Sequence, residues 1–128
     1  KVFISIDDDN KKFILTIVKK LIDLNFIIVA TKGTAKYLNN HNLKVETINK
    51  VKEGGSHIVK AITDNMIDLV INTTKTQGSI RDSYSIRRTS LTFNIPYYTT
   101  IAGAKVAVDT IEHLKNNNLK VKSLQDLT

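Results

Sequence analysis

Polar side chains that suit phosphate binding follow several apolar runs in this 128-residue chain. They are hydroxyls, amides and ammonium groups, and one segment contains a glycine turn that opens a helix. A helix N-terminus offers unpaired N–H groups and a partial positive charge, and glycine lets a phosphate approach the backbone closely. Each residue alone also fits a helix cap or a solvated lysine, but their repetition after successive runs predicts a phosphate site. The candidates are Lys11, Thr31, Lys32, Gly33, Thr34, Lys50, Asn72, Thr73 and Thr74.

An alternation of strands and helices must position these candidates. Short β-branched runs predict strands, and apolar residues at helical spacing predict the helices between them. The combination predicts an α/β fold, a three-layer doubly wound sheet of about five parallel strands with helices on both faces. The predicted strands span 2–6, 26–31, 44–48, 66–71 and 95–101. The predicted helices span 11–24, a segment through 38, 56–62, a segment from about 79, and 102–114, after which three asparagines and a tail with one weak strand follow.

Ligands of open parallel sheets bind outside the carboxyl ends of the strands. Because the candidates follow predicted strands, we expect the fold to gather them along one edge of the sheet. No linker or change in composition divides the chain, so residues 1–128 are predicted to form one domain. The apolar run that begins directly after Lys1 indicates a fragment of a longer chain.

The net charge of +7 favours anionic partners. Nucleic acid is a poor candidate, since only 6% of the residues are aromatic and Arg87–Arg88 stand without a longer basic stripe. No apolar run approaches the roughly 20 residues that span a bilayer, and no leader pattern points to secretion. The absence of cysteine excludes disulfides and thiolate sites and, with no leader, favours a cytoplasmic location.

Common catalytic motifs are missing. The chain has no G-x-G-x-x-G, no complete P-loop and no Gly-x-Ser-x-Gly. Its three histidines, at positions 41, 57 and 113, lack zinc-ligand spacing. The acidic run Asp7–Asp9 fits a capped, solvated turn better than a metal site, although a metal remains an alternative.

Four segments in this order resemble the C-terminal allosteric domain of the carbamoyl-phosphate synthase large subunit, which has the methylglyoxal-synthase-like fold. They are Ala30–Ala35, Asn49–Gly54, Ile71–Thr74 and Asp82–Arg88, and the Tyr97–Thr100 segment also matches. The resemblance extends from Val2 to about Leu127.

The resemblance implies a regulatory domain that binds UMP as an inhibitor and IMP as an activator. It implies no cofactor in this domain, with ATP, Mg²⁺ or Mn²⁺ and K⁺ in the parent's synthetase domains. It implies as partners those synthetase domains and a glutaminase small subunit, with no nucleic acid and no membrane. The implied effector-phosphate residues add Ser5 to the candidates above, and Tyr97 and Thr99 are implied to face ornithine.

Two departures from the family pattern concern activity. Gln77 and Gly78 stand where the family has cationic side chains, which predicts weaker or less selective nucleotide binding. Methylglyoxal synthase, acting on dihydroxyacetone phosphate, is the rival interpretation. Its catalytic aspartate follows a glycine pair, whereas here Gly54–Gly55 is followed by Ser56, so the carboxylate base is missing.

Overall fold

The computed structural model of the chain describes residues 1–48, 58–73 and 77–126. A 3₁₀ turn at Asp8–Asn10 precedes the first helix. The strands and helices, in chain order, are β1 (Val2–Ser5), α1 (Lys11–Asp23), β2 (Ile28–Ala30), α2 (Lys32–Asn40), β3 (Glu46–Thr47), α3 (Ile58–Thr63), β4 (Leu69–Asn72), α4 (Gln77–Thr92), β5 (Tyr97–Tyr98) and α5 (Ile101–Asp126).

The strands form one parallel sheet in the order β3-β2-β1-β4-β5. β1 is central, and all four of its residues are buried. Its register places Ile4 beside both Ala30 of β2 and Ile71 of β4, and Ser5 beside Asn72. The predicted doubly wound sheet is therefore confirmed, with its carboxyl ends aligned at one edge.

Successive side chains along β1 point to opposite faces of the sheet and pack into two separate hydrophobic cores. Val2 and Ile4 pack on the face covered by α1, α2 and α5, whereas Phe3 packs on the face covered by α3 and α4. The described helices thus lie on both faces of the sheet, as the sequence predicts. This arrangement explains the nearly continuous apolar runs, since both faces of the central strands are covered.

Four helices end in the same hydrogen-bonded turn. After each of α1 to α4, an asparagine adopts a positive φ of 57–70° and donates its N–H back into the last helical turn. The apolar residue that follows donates to a carbonyl five residues earlier, which completes a Schellman motif. Asparagine tolerates the left-handed conformation that these turns require. The four residues are Asn25, Asn42, Asn65 and Asn94.

These turns explain why the strands start later than predicted. Phe26 and Met66 begin apolar runs, but their N–H groups donate to the carbonyls of Leu21 and Ala61 and close the preceding helices. Backbone committed to a helix end cannot also pair in the sheet. β2, β4 and β5 consequently begin at residues 28, 69 and 97.

The prediction for the chain's last element is wrong. α5 does not end near residue 114 but continues to Asp126 through Asn116, Asn117 and Asn118, and no strand follows within the described residues. Asparagine lowers helix propensity by well under 1 kcal/mol, and neither glycine nor proline occurs between Ala104 and Thr128 to stop the helix.

Contacts with α1 fix α5 in place. Lys20 Nζ lies 2.6 Å from Asp109 Oδ1, and Lys115 Nζ donates to the Leu24 carbonyl at 2.7 Å. The hydrogen bond between Lys20 and Asp109 raises the pKa of the lysine and lowers that of the aspartate.

Candidate functional site

The carboxyl ends of β1 and β4 lie side by side at the point where the strand order reverses, with β2 and β3 on one side and β5 on the other. The chain leaves β1 for α1 on one face and β4 for α4 on the other, which is where open α/β sheets bind ligands. The Thr73 N–H donates to the Ser5 carbonyl at 3.0 Å and extends the pairing of the two strands. The residues just after both strands are therefore held side by side.

A reciprocal contact links Asp7 to Thr73 across this point. The Asp7 N–H donates to Thr73 Oγ1 at 3.0 Å, and the Thr73 hydroxyl donates to Asp7 Oδ1. Asn10 Nδ2 also donates to both carboxylate oxygens, at 2.8 and 3.1 Å. The turn that leads to Lys11 at the start of α1 is thereby fixed to the end of β4.

Buried hydroxyls join the ends of β1 and β2. Thr31 Oγ1 lies 3.3 Å from Ser5 Oγ and 3.4 Å from Thr34 Oγ1. The Ile6 N–H donates to Thr34 Oγ1 at 3.1 Å. Because Ser5, Thr31 and Thr34 are at most 8% exposed, these hydroxyls form the floor of the site and hold its strands together.

Lys11 reaches from the start of α1 to the start of α2. Its Nζ lies 3.6 Å from the position that a Cβ on Gly33 would occupy, and 2.6 Å from Asp8 Oδ1. Thr31 is the N-cap of α2, but its side chain makes no capping hydrogen bond. The N–H groups of the first α2 turn have no partner within the helix itself. An ammonium group and a helix N-terminus thus converge, and we call Lys11, Asp8 and Gly33 the Lys11 corner.

Asn72 connects the site to the edge strand β5. Its Nδ2 donates to the Tyr97 hydroxyl at 2.9 Å, and Asn72 is itself fully buried. Burial raises the pKa of Tyr97, while the hydrogen bond from Asn72 and the charge of Arg87 act in the opposite direction. Tyr97 is therefore a neutral phenol at physiological pH.

Most of the predicted residues converge. Lys32 is exposed in the first turn of α2, and Thr99 is exposed just after β5. Lys50 and Thr74 lie outside the described residues. Those that the structure brings together are Ser5, Lys11, Thr31, Gly33, Thr34, Asn72 and Thr73, with Tyr97 joined through Asn72.

Two residues of this site were not among the predicted binding residues. Asp7 and Asp8 belong to the acidic run that the sequence indicates as a capped turn, yet one holds Thr73 and the other pairs with Lys11. Their position directly after β1 was an available signal. No group of three His, Cys, Asp or Glu side chains in the described part of the chain is arranged to hold a metal ion.

Two grooves lie away from this cluster. One of about 420 Å³ lies between β3 and α3, beside Val29, Ile48 and Met66, and one of about 260 Å³ lies between α1 and α5, beside Phe13 and Val108. Both are lined mainly by apolar surface. The groove between α1 and α5 includes Lys20, Lys105 and Ile101, the first residue of α5, but Lys20 is paired there with Asp109 and Glu112. We place the anion site at the strand ends, because most of the predicted binding residues converge there.

Comparison with known proteins decides the family. The sequence model of the MGS-like domain family matches residues 13–99, more than half of the chain. This chain belongs to the MGS-like domain family. A solved methylglyoxal synthase from Elizabethkingia anophelis NUHP1 shares the fold of this MGS-like domain, with a TM-score of 0.61 over 84% of this chain and 76% of that one. At 18% sequence identity, this likeness concerns the fold alone.

Curated relatives of this MGS-like domain are much longer than the domain. The carbamoyl phosphate synthase large chains of Myxococcus xanthus and Brucella suis are each 44% identical to it over 98% of its length, which is 12% and 11% of those proteins. The C-terminal section of the Methanopyrus kandleri large chain is 44% identical over 97%, and the match covers 23% of that section. None of the helices in the described ranges is long and apolar enough to cross a membrane.

Proposed function

We propose that this MGS-like domain is the effector-binding regulatory domain of a carbamoyl phosphate synthase large chain. The sequence identity to such chains supports the parent protein. The Lys11 corner is the observation that supports an anionic effector, because Lys11 Nζ lies beside Gly33 at the N-terminus of α2. A phosphate placed there meets an ammonium group, free backbone N–H groups and the positive end of a helix dipole.

The effectors we propose are nucleoside monophosphates, with UMP as inhibitor and IMP as activator. Lys11 and the N–H groups of Lys32 and Gly33 would contact the phosphate, joined by Lys50 and Thr74. The buried hydroxyls beneath them, together with Asn72 and Thr73, would maintain the shape of the pocket. Ornithine would act nearby, against Tyr97 and Thr99.

Regulation would operate by a shift in conformational populations. The effector would favour one arrangement of this domain against the synthetase domains of the same chain, and the coupling could not exceed the effector's differential affinity for the two states. The parent, with its glutaminase small subunit, would make carbamoyl phosphate in the cytoplasm for pyrimidine and arginine synthesis. ATP, Mg²⁺ or Mn²⁺ and K⁺ would bind in the synthetase domains rather than in this one.

Thermal unfolding of this chain with and without each nucleotide tests the proposal. UMP or IMP at 100 times its Kd should add about 2.7 kcal/mol to the free energy of unfolding, a shift of several degrees. Lys11→Ala should remove the shift. Lys19→Ala, an exposed lysine on the same helix, should retain it and is the matched control.

Two results would contradict the proposal. Absence of any shift with millimolar UMP or IMP would exclude a nucleotide pocket in this chain. Release of methylglyoxal from dihydroxyacetone phosphate would identify a lyase instead of a regulatory domain.

A further inference from the structure

The Lys11 corner brings two positive groups together. Lys11 Nζ lies beside Gly33 in the first turn of α2, where the helix dipole carries its partial positive charge. A cation at a helix N-terminus is unfavourable, since favourable partners at that end are anions. The lysine side chain is also only 18% exposed, so water screens its charge from the helix dipole less well than it would at an exposed position. The corner therefore needs an anion.

Asp8 supplies an anion from within the chain. Its Oδ1 lies 2.6 Å from Lys11 Nζ, and Asp8 opens the 3₁₀ turn that leads from β1 into α1. The Asp8 side chain is 91% exposed, so most of the carboxylate faces solvent. A carboxylate held this loosely can leave the lysine without breaking any part of the core.

We propose that the Asp8 carboxylate sets the affinity for the effector phosphate by competing with it for Lys11. The inference rests on the proposed function, because it concerns the same anion site. A phosphate that binds Lys11 must displace Asp8 or tolerate its negative charge. Asp8 is thus a specificity-determining residue that keeps weakly binding anions out of the corner.

The proposal predicts effects of opposite sign on stability and on binding. Asp8→Asn removes the competing charge while leaving a side chain of the same shape. The effector-free chain should unfold at a lower temperature, because Lys11 loses its counter-charge. The same variant should bind UMP about two- to fivefold more tightly at low ionic strength, the range that an exposed ion pair supports. A residue with only a structural role would weaken both properties together.

The experiment is isothermal titration calorimetry, which measures the Kd of this chain for UMP and, separately, for inorganic phosphate, at low and at high ionic strength. The gain in affinity of Asp8→Asn should shrink as salt screens the competing charge. Asp23→Asn, at the exposed far end of α1, makes the same change in net charge and should leave the Kd unchanged. In a Lys11→Ala background, Asp8→Asn should no longer tighten binding, since the residues act as a coupled pair.

Failures of the two proposals are distinguishable. If the unmodified chain binds UMP but Asp8→Asn binds it equally or more weakly, the competition is refuted while the regulatory function stands. If Asp23→Asn tightens binding as much as Asp8→Asn, net charge rather than the ion pair is responsible, which also refutes it. If neither the unmodified chain nor Asp8→Asn binds UMP or phosphate, the proposed function fails, and this inference fails with it.

Discussion

Replacing Gly33 with alanine should stabilise the chain and weaken the binding of a phosphorylated effector. Gly33 lies in the first turn of α2, and its backbone is not in the left-handed region that favours glycine. A Cβ there would lie 3.6 Å from Lys11 Nζ, an ordinary van der Waals separation. The folded chain therefore accepts Gly33→Ala without displacing its neighbours.

The expected gain in the free energy of unfolding comes from the lower conformational entropy of the unfolded variant. Alanine restricts the unfolded chain more than glycine does, and at a compatible position this contributes about 0.4–1 kcal/mol. Such a change should raise the Tm by a few degrees for a domain of this size. The added methyl group, however, would occupy the space beside Lys11 through which a phosphate reaches the N–H groups of α2. We expect UMP affinity to fall at least about tenfold, because a misplaced phosphate loses several charge-assisted hydrogen bonds.

Differential scanning calorimetry and isothermal titration of the same preparation measure both effects. Gly103→Ala is not a suitable control, because a Cβ there would lie 3.1 Å from Thr100 Oγ1. Lys36→Ala, at an exposed position within α2, tests whether any change in that helix alters binding. The reasoning is refuted if Gly33→Ala binds UMP as tightly as the unmodified chain, or if it lowers the Tm.

Two further predictions concern Thr34 in the floor of the site and Tyr97 on the edge strand β5. Thr34→Val should lower the free energy of unfolding by about 1–3 kcal/mol in urea titrations, because it leaves the buried Ile6 N–H without its acceptor; an unchanged midpoint would refute this. Tyr97→Phe should flatten the loss of stability above pH 10. Burial raises the pKa of Tyr97, so its contribution is complete below the unfolded-state pKa and is lost as the pH rises through the folded-state pKa. The free energy of unfolding of both chains is measured from pH 8 to 11. If it falls with pH equally in Tyr97→Phe and in the unmodified chain, the raised pKa of Tyr97 is contradicted.

Helix ends account for most differences between the predicted and observed elements. Each of α1 to α4 is followed by an asparagine and then an apolar residue, as in Asn25–Phe26 and Asn65–Met66. This repeated pair is visible in the sequence and could have placed the starts of the strands. Hydrophobic periodicity alone could not, because an apolar residue that closes a Schellman motif looks the same as one that opens a strand.

No comparable feature of the sequence predicts how far α5 extends. Asn116, Asn117 and Asn118 are common helix ends, and here the helix passes through them. Contacts far apart in the chain help to hold the helix, including the hydrogen bond from Lys115 to the Leu24 carbonyl. Local propensity is a weak constraint, and tertiary contacts of this kind override it.

The sequence by itself determined the class of fold and the edge of the sheet at which the polar residues gather. Both follow from local rules, namely the alternation of apolar runs and the fixed direction of parallel strands. Only the tertiary structure decided what each polar group does. It commits the hydroxyl of Thr34 to the backbone of Ile6 and that of Thr73 to Asp7, and it places Lys11 between Asp8 and Gly33. Which way a side chain turns depends on partners distant in sequence, and those partners meet only when the sheet has formed.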